Sequence, residues 1–188
     1  GPIEKGLDAS HGGMDFYNIC VDAAGLATVA DSFAALEQRI EQEHRLTWDQ
    51  CAAAMKENYQ SPSANRTRAV LKTSRHFGYG GGLGDDWAVR ISRDFTQRVS
   101  SHRTPNGYLM IPGLFSWANT IMLGQQVGAT PNGRYAGTPV SHGANPDPGF
   151  RKDAALTAMS DAIASVQPGL GNTAPFQLEL NTTLVVHD

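Results

Sequence analysis

Cysteine is nearly missing from these 188 residues: there are two, Cys20 and Cys51, with no CxxC and no Cys/His cluster. That excludes a disulfide framework and a zinc site and points to a reducing compartment. Charge of one sign is lacking too. Eighteen acidic residues face fifteen Lys and Arg, a net charge of −3, so nothing draws the chain electrostatically to nucleic acid or to an anionic membrane. No apolar stretch approaches the roughly 18–20 residues that a membrane span needs, and the N-terminus has neither the basic start nor the apolar run of a signal peptide. The expectation is a soluble, cytoplasmic protein. What the chain does have is 40% hydrophobic residues, enough for a core and too many for disorder.

Helical periodicity dominates the first half. Over 24–44, Leu26, Val29, Ala30, Phe33, Leu36 and Ile40 recur at three and four. Thr47 with Gln50 three residues on is a capping-box pattern, and Trp48, Cys51, Met55 and Tyr59 continue it as one apolar stripe. A third helix is expected over 65–74. A fourth begins at Asp85-Asp86, with Trp87, Ile91, Phe95 and Val99 at spacing four. Both cysteines fall in segments read as helix-like.

The character changes after Arg103. Asn106-Gly107 signals a turn, and 108–123 suits one or two buried strands kinked at Pro112-Gly113. Asn132-Gly133 opens a segment rich in Gly, Pro and Asn that runs to Gly149. Residues 153–166 return to helical period, and Phe176, Leu178 and Leu180 alternate as in a strand. Helices, loops and a few strands in mixed order give an α/β chain, with 1–103 mainly helical and 104–188 holding strands, the long loop, a helix and a strand. No repeat or linker divides it, so 1–188 reads as a single domain.

Candidate chemistry read residue by residue is sparse. GYGGGLG at 78–84 invites a phosphate-loop reading, but no Lys-Ser or Lys-Thr follows and a helix precedes it, so a tight backbone approach or a connector fits better. His11 and His142 each stand beside glycines with no ligand partner at metal spacing, which favours turn residues. Asp8, Asp15, Asp22 and Asp31 are explained by capping and solvent contact. Arg66, Arg68, Lys72 and Arg75 read as a solvated helix face. Cys51 fits a buried structural thiol.

Longer patterns add a family. GPIEKGLDASHGGMDFYN followed by GLATVADSFAAL resembles the "kG.D...GGa.YN" and "G.a..aDSLaA" stretches of the glycyl radical enzymes, the superfamily of pyruvate formate-lyase and the glycyl radical dehydratases. LTWDQCAAAMKENYQ looks like the helix that follows, and RHFGYGGGLGDDWAVRISRDF resembles the "kyGn...D..a" segment. GATPNGRYAGTPVSHGANPDPG is similar to "GAtPdGR.ag.PvsdG.sP..G", with Gly128, Pro131, Gly133, Arg134, Gly137, Pro139 and Gly143 all in place. The resemblance spans essentially the whole chain. It departs at 151–158, where RKDAALTA replaces "NGPTA".

This resemblance implies part of a ten-stranded α/β barrel with helices outside a few buried strands. It also implies that the chain is the stretch between two catalytic loops, because neither the GCxE cysteine nor the RVxGY glycine is present. Gly1-Pro2-Ile3-Glu4 has proline at the cysteine position, and Arg98-Val99-Ser100-Ser101 lacks the glycine and tyrosine. The chain alone would then carry no catalytic residue and no bound cofactor or metal. A full-length parent, a formate acetyltransferase-like lyase or a dehydratase of anaerobic metabolism, would carry a glycyl radical installed by an activating enzyme that uses S-adenosylmethionine. Phe115, Trp117 and Asn119, on the family's barrel strand, would line the substrate cavity, with His11, Asp15 and His142 as further polar candidates. Gly128, Pro131, Gly133, Arg134 and Gly143 would shape the loop, with Arg134 bonded to carbonyls. The expected partners are the remainder of the barrel, the activating enzyme or a second copy. The alternative is a stand-alone binding or assembly module derived from that fold.

Overall fold

The computed structural model describes residues 1–17, 19–147, 156–167, 171 and 174–177. In chain order its elements are α1 (Pro2–Lys5), β1 (Ile19–Asp22), α2 (Leu26–Leu36), α3 (Trp48–Lys56), α4 (Pro62–Leu71), α5 (Leu83–Ser100), β2 (Met110–Gly113), α6 (Asn119–Gln125) and α7 (Leu156–Ser165). β1 and β2 pair in parallel, from Ile19 opposite Met110 to Asp22 opposite Gly113. A parallel pair requires a crossover, and α2 to α5 supply it as the helical layer that the periodicity predicts.

Helix α2 owes its central place to small residues. Ala27, Ala30 and Ala34 are fully buried, which lets α5 pack close against it. Phe33 stacks on Trp87 with centroids 4.7 Å apart, and the Trp87 indole donates to Glu37 at 2.8 Å. Leu26, Phe77, Ala88, Leu114, Ile163 and Val166 complete this core. A second cluster, with Ile40, Cys51, Tyr59 and Leu71, joins α3 to α4. Thr47 caps α3 as a capping box: its hydroxyl accepts from the Gln50 amide while the Gln50 side chain accepts from the Thr47 amide.

Several sequence expectations are corrected. The 24–44 helix is α-helical only over α2 and continues through a π-helical turn, Glu37–Gln42, in which buried Arg39 donates to Glu43 and to the Thr73 carbonyl. Cys20 lies in β1, not a helix, because the β-branched Ile19 and Val21 around it suit a strand. The strand expected over 108–123 stops at Gly113. Pro112 lacks the amide a longer ladder would need, and a turn at Trp117 leads into α6. Phe115, Trp117 and Asn119 therefore do not alternate along a strand. The apolar run Ile121 to Leu123 fits either element by composition, and tertiary contacts decide. Leu178 and Leu180 lie outside the described residues.

Candidate functional site

Parallel strands gather loops at their carboxyl ends, which is where α/β folds bind ligands. Here that end receives the residues after β2 and the returning segment 140–145. Gly25, the αL residue that starts α2, donates its amide to the Ser141 carbonyl at 3.1 Å. Ser141 and Thr28 exchange hydrogen bonds behind it. Gly143 sits against the backbone after β2: with φ of +50°, a Cβ there would lie 2.6 Å from the Leu114 carbonyl oxygen, so a side chain is excluded twice over. Its amide donates to buried Ser116 Oγ at 3.0 Å, and Ser116 Oγ also meets His142 Nδ1 at 3.1 Å.

Aromatic side chains flank these polar groups. The Phe115 ring lies 6.0 Å from Trp117 and 6.2 Å from the His142 imidazole. Trp117 is 70% exposed and holds a φ of +41°, an unusual conformation for a bulky residue. Asn119 begins α6 and is exposed. The structure thus brings Phe115, Trp117 and His142 together. His11 and Asp15 are elsewhere: Asp15 pairs with Lys5 at 2.5 Å, and Tyr17, whose hydroxyl accepts the Gly12 amide, packs at a tilt against Tyr108 ahead of both strands.

The 127–147 loop is held by Arg134. Its guanidinium donates to the carbonyls of Val127, Gly128, Tyr135 and Thr138. Gly133 closes a turn onto Thr130 at φ +87°, and a Cβ there would meet the Lys72 side chain at 2.5 Å. Arg68 is not a solvated residue of its helix: its Nε donates to the Gly133 carbonyl at 2.6 Å and its guanidinium covers the Tyr135 ring at 4.0 Å. Tyr59 adds a hydroxyl bond to the Thr130 carbonyl at 2.8 Å, and burial pushes its phenol pKa well up.

The glycine run is an anion nest filled from within. Amides of Gly78, Gly80 and Gly82 donate to the Asp85 carboxylate at 2.8, 3.1 and 3.1 Å. That carboxylate occupies the position a phosphate would need, so the run wraps the start of α5 rather than a nucleotide. Gly84 explains the tightness, since a Cβ would stand 2.3 Å from the Phe77 amide nitrogen.

Sequence reasoning missed one charged cluster. Asp31, expected at the solvent, is fully buried; it accepts from the Phe77 amide at 2.6 Å and meets His76 Nδ1 at 2.8 Å. His76 Nε2 faces the Lys72 carbonyl at 3.2 Å. An acceptor at each ring nitrogen favours the doubly protonated imidazole. Burial pulls the His76 pKa down, but the Asp31 bond and charge, the Lys72 carbonyl and Asp147 together raise it overall. Asp147, bonded to Asn132 Nδ2 at 2.9 Å, is pushed up to about 6 by burial and by the Asp31 charge, against His76, Asn132 and Arg134. Helical spacing alone could have found this: Asp31 falls one residue past Ala30 and three before Ala34, on the buried face.

Neither cysteine is in a disulfide. Burial, with Asp22 beside it, raises the Cys20 thiol pKa, and burial raises that of Cys51. Neither is an activated thiolate. Pro2 stands in α1 and Arg98 to Ser100 in the last turn of α5, so neither approximate loop motif forms a loop. Among the described residues no three His, Cys, Asp or Glu gather as a metal site, and no helix is long and apolar enough to cross a membrane.

Comparison with known proteins gives this geometry a setting. The chain is 28% identical to (2S)-3-sulfopropanediol dehydratase of Klebsiella oxytoca over 88% of its own length and 20% of that protein's. It is 26% identical to trans-4-hydroxy-L-proline dehydratase of Clostridioides difficile, over 78% and 18%. The chain therefore spans about a fifth of the curated relatives it matches. A solved structure on 1,2-propanediol dehydration in Roseburia inulinivorans superposes with a TM-score of 0.88 at 26% identity, covering 98% of this chain and 24% of that one. The fold is that of a portion of the glycyl radical enzyme barrel. A model of the family described as pyruvate formate lyase-like matches residues 1–124, and the chain belongs to this family of glycyl radical enzymes.

Proposed function

We propose that the chain is one section of a longer glycyl radical dehydratase or lyase that acts on a small oxygenated metabolite and is catalytically incomplete by itself. The observation that carries this is the joint one of family and extent: relatives that are dehydratases and a sulfite-lyase, of which the chain spans 15–20%. Neither cysteine fits the thiyl role, since Cys51 is buried in α3 and Cys20 lies in a regular strand with its thiol pKa raised. The thiyl cysteine and radical glycine then belong to loops outside residues 1–188. An activating enzyme using S-adenosylmethionine would install the radical.

In this reading the chain's own residues shape the cavity. Phe115 and Trp117 form an apolar wall at the carboxyl end of the strand pair, Asn119 stands at the start of α6, and Gly128, Pro131, Gly133, Arg134 and Gly143 fix the loop behind them. An apolar wall with few polar groups excludes water and orients a small substrate. The test is anaerobic activation of the complete enzyme, followed by turnover of 1,2-propanediol, glycerol, trans-4-hydroxy-L-proline and isethionate. Loss of water or of sulfite from one of them, together with a raised KM in Trp117→Ala, is expected. Activated enzyme that turns over none of them, or an unchanged Trp117→Ala, would overturn the reading.

A further inference from the structure

The segment that returns across the carboxyl end of the strands presents an imidazole held through one ring nitrogen. Ser116 is buried, and its Oγ already accepts the Gly143 amide at 3.0 Å. A buried hydroxyl also needs an acceptor for its own proton. Among the described residues, His142 Nδ1 at 3.1 Å is the one acceptor bonded to it. Donation of the Ser116 proton to Nδ1 would satisfy both groups and would leave the ring proton on Nε2. Nε2 has no hydrogen-bond partner among the described residues, and the His142 side chain is half-buried rather than buried. Beside it stand the Phe115 ring, edge-on with planes 66° apart, and beyond that the exposed Trp117.

We propose that His142 is a substrate-binding residue whose Nε2–H donates to an uncharged oxygen, such as the hydroxyl of a small diol. The proposal rests on the reading that the Phe115 and Trp117 wall faces the substrate cavity. A carboxylate or sulfonate would be matched by a fixed cation, which bonds anions more strongly than a neutral ring does; no arginine or lysine bond reaches this group among the described residues. Ser116 is then a positioning residue, acting through the ring. The Gly143 amide holds Ser116 in turn, which explains why the loop approaches β2 closely enough to exclude any side chain at 143.

Two experiments separate the failure of this proposal from failure of the site reading. Solid-state nitrogen NMR of the histidine-labelled chain at pH 8, assigned with His142→Gln, is expected to show Nε2 protonated and Nδ1 bare, with the preference lost in Ser116→Ala. A protonated Nδ1 would overturn the proposal whatever the chain's wider role. In the complete activated enzyme with 1,2-propanediol as probe, His142→Phe should raise KM about tenfold with kcat within about threefold, the worth of one neutral hydrogen bond. His142→Gln, whose amide nitrogen can reach the Nε2 position, should recover most of that. Equal losses in Phe and Gln variants, or none in either, would overturn it. An unchanged KM in Trp117→Ala with an intact tautomer would instead sink the site reading on which it rests.

Discussion

Thr28 and Ser141 stand 113 residues apart and exchange two buried hydrogen bonds, Thr28 N to Ser141 Oγ at 3.1 Å and Ser141 N to Thr28 Oγ1 at 2.9 Å. Helix α2 begins at Gly25, which has no side chain to cap it, so an orphan amide of its first turn is satisfied from the returning loop instead. The same bonds fix the segment that carries His142. Helix stability and the placement of His142 are thus linked through one serine.

Ser141→Ala is expected to cost about 1–2 kcal/mol, the scale of a lost cap with a buried amide left unpaired. Urea unfolding measures it, and faster amide exchange should be confined to the first turn of α2 and to 139–143. Uniform loss of protection would mean that the cap is not local.

Arg134→Lys should behave nearly as badly as Arg134→Ala. Four carbonyls spread around a planar fork cannot be met by one ammonium. We expect about 2–3 kcal/mol for the alanine variant and recovery of less than half by lysine.

Asp85→Ala removes the acceptor for three glycine amides and should destabilise the 78–84 run by about 2–4 kcal/mol, whereas Asp85→Asn retains one acceptor oxygen and loses less. Inorganic phosphate added to the wild-type chain should shift no amide resonance of this run. Phosphate protection of the run against exchange would contradict the filled nest.

The Asp31, His76 and Asp147 group sets a pH dependence. Asp147 is raised in the folded chain to about 6, so folded protein holds a proton that unfolded protein has lost, and stability falls as pH rises from about 4 through 6. His76 is also raised; its contribution is complete below the unfolded value near 6.5 and is lost as pH rises through the folded one. Thermal melts should therefore drop from pH 5.5 to 8. Asp147→Asn should raise stability at pH 7 by about 1–3 kcal/mol and flatten the lower window. His76→Gln should remove the upper one. A melt that rises over this range would contradict the assignment.

What was legible in the sequence was local. The Thr47 and Gln50 capping box, the Asn106-Gly107 turn and the apolar stripe of α5 are short-range patterns, and each is present in the fold. What was not legible depends on distant partners. Ser141 caps a helix more than a hundred residues earlier, and Arg68 leaves the solvent for the Gly133 carbonyl. Residues 119–125 show the limit of periodicity, since Ile121, Met122 and Leu123 suit a strand until Gly124 packs against the Thr138 and Pro139 backbone. In the 127–147 loop, the glycines and Arg134 stood out through family resemblance, whereas the pairing of Ser116 with His142 needed coordinates.

Exposed apolar surface gives a further expectation. Trp117, Ile121, Met122 and Val127 are exposed around α6, and among the described residues β1 and β2 pair only with each other. The isolated chain should associate, and size-exclusion chromatography should show species larger than the monomer. A sharp monomer peak with a cooperative melt would contradict this.

The central claim is that these residues are one section of a longer radical enzyme. Reading the gene frame around them, beside the intact mass of the native polypeptide, tests it most directly. The account expects one frame with a GCxE loop upstream and an RVxGY loop downstream, and a mass several times that of 188 residues. A native polypeptide of 188 residues whose frame closes after Asp188 would contradict it and leave a binding or assembly module in its place.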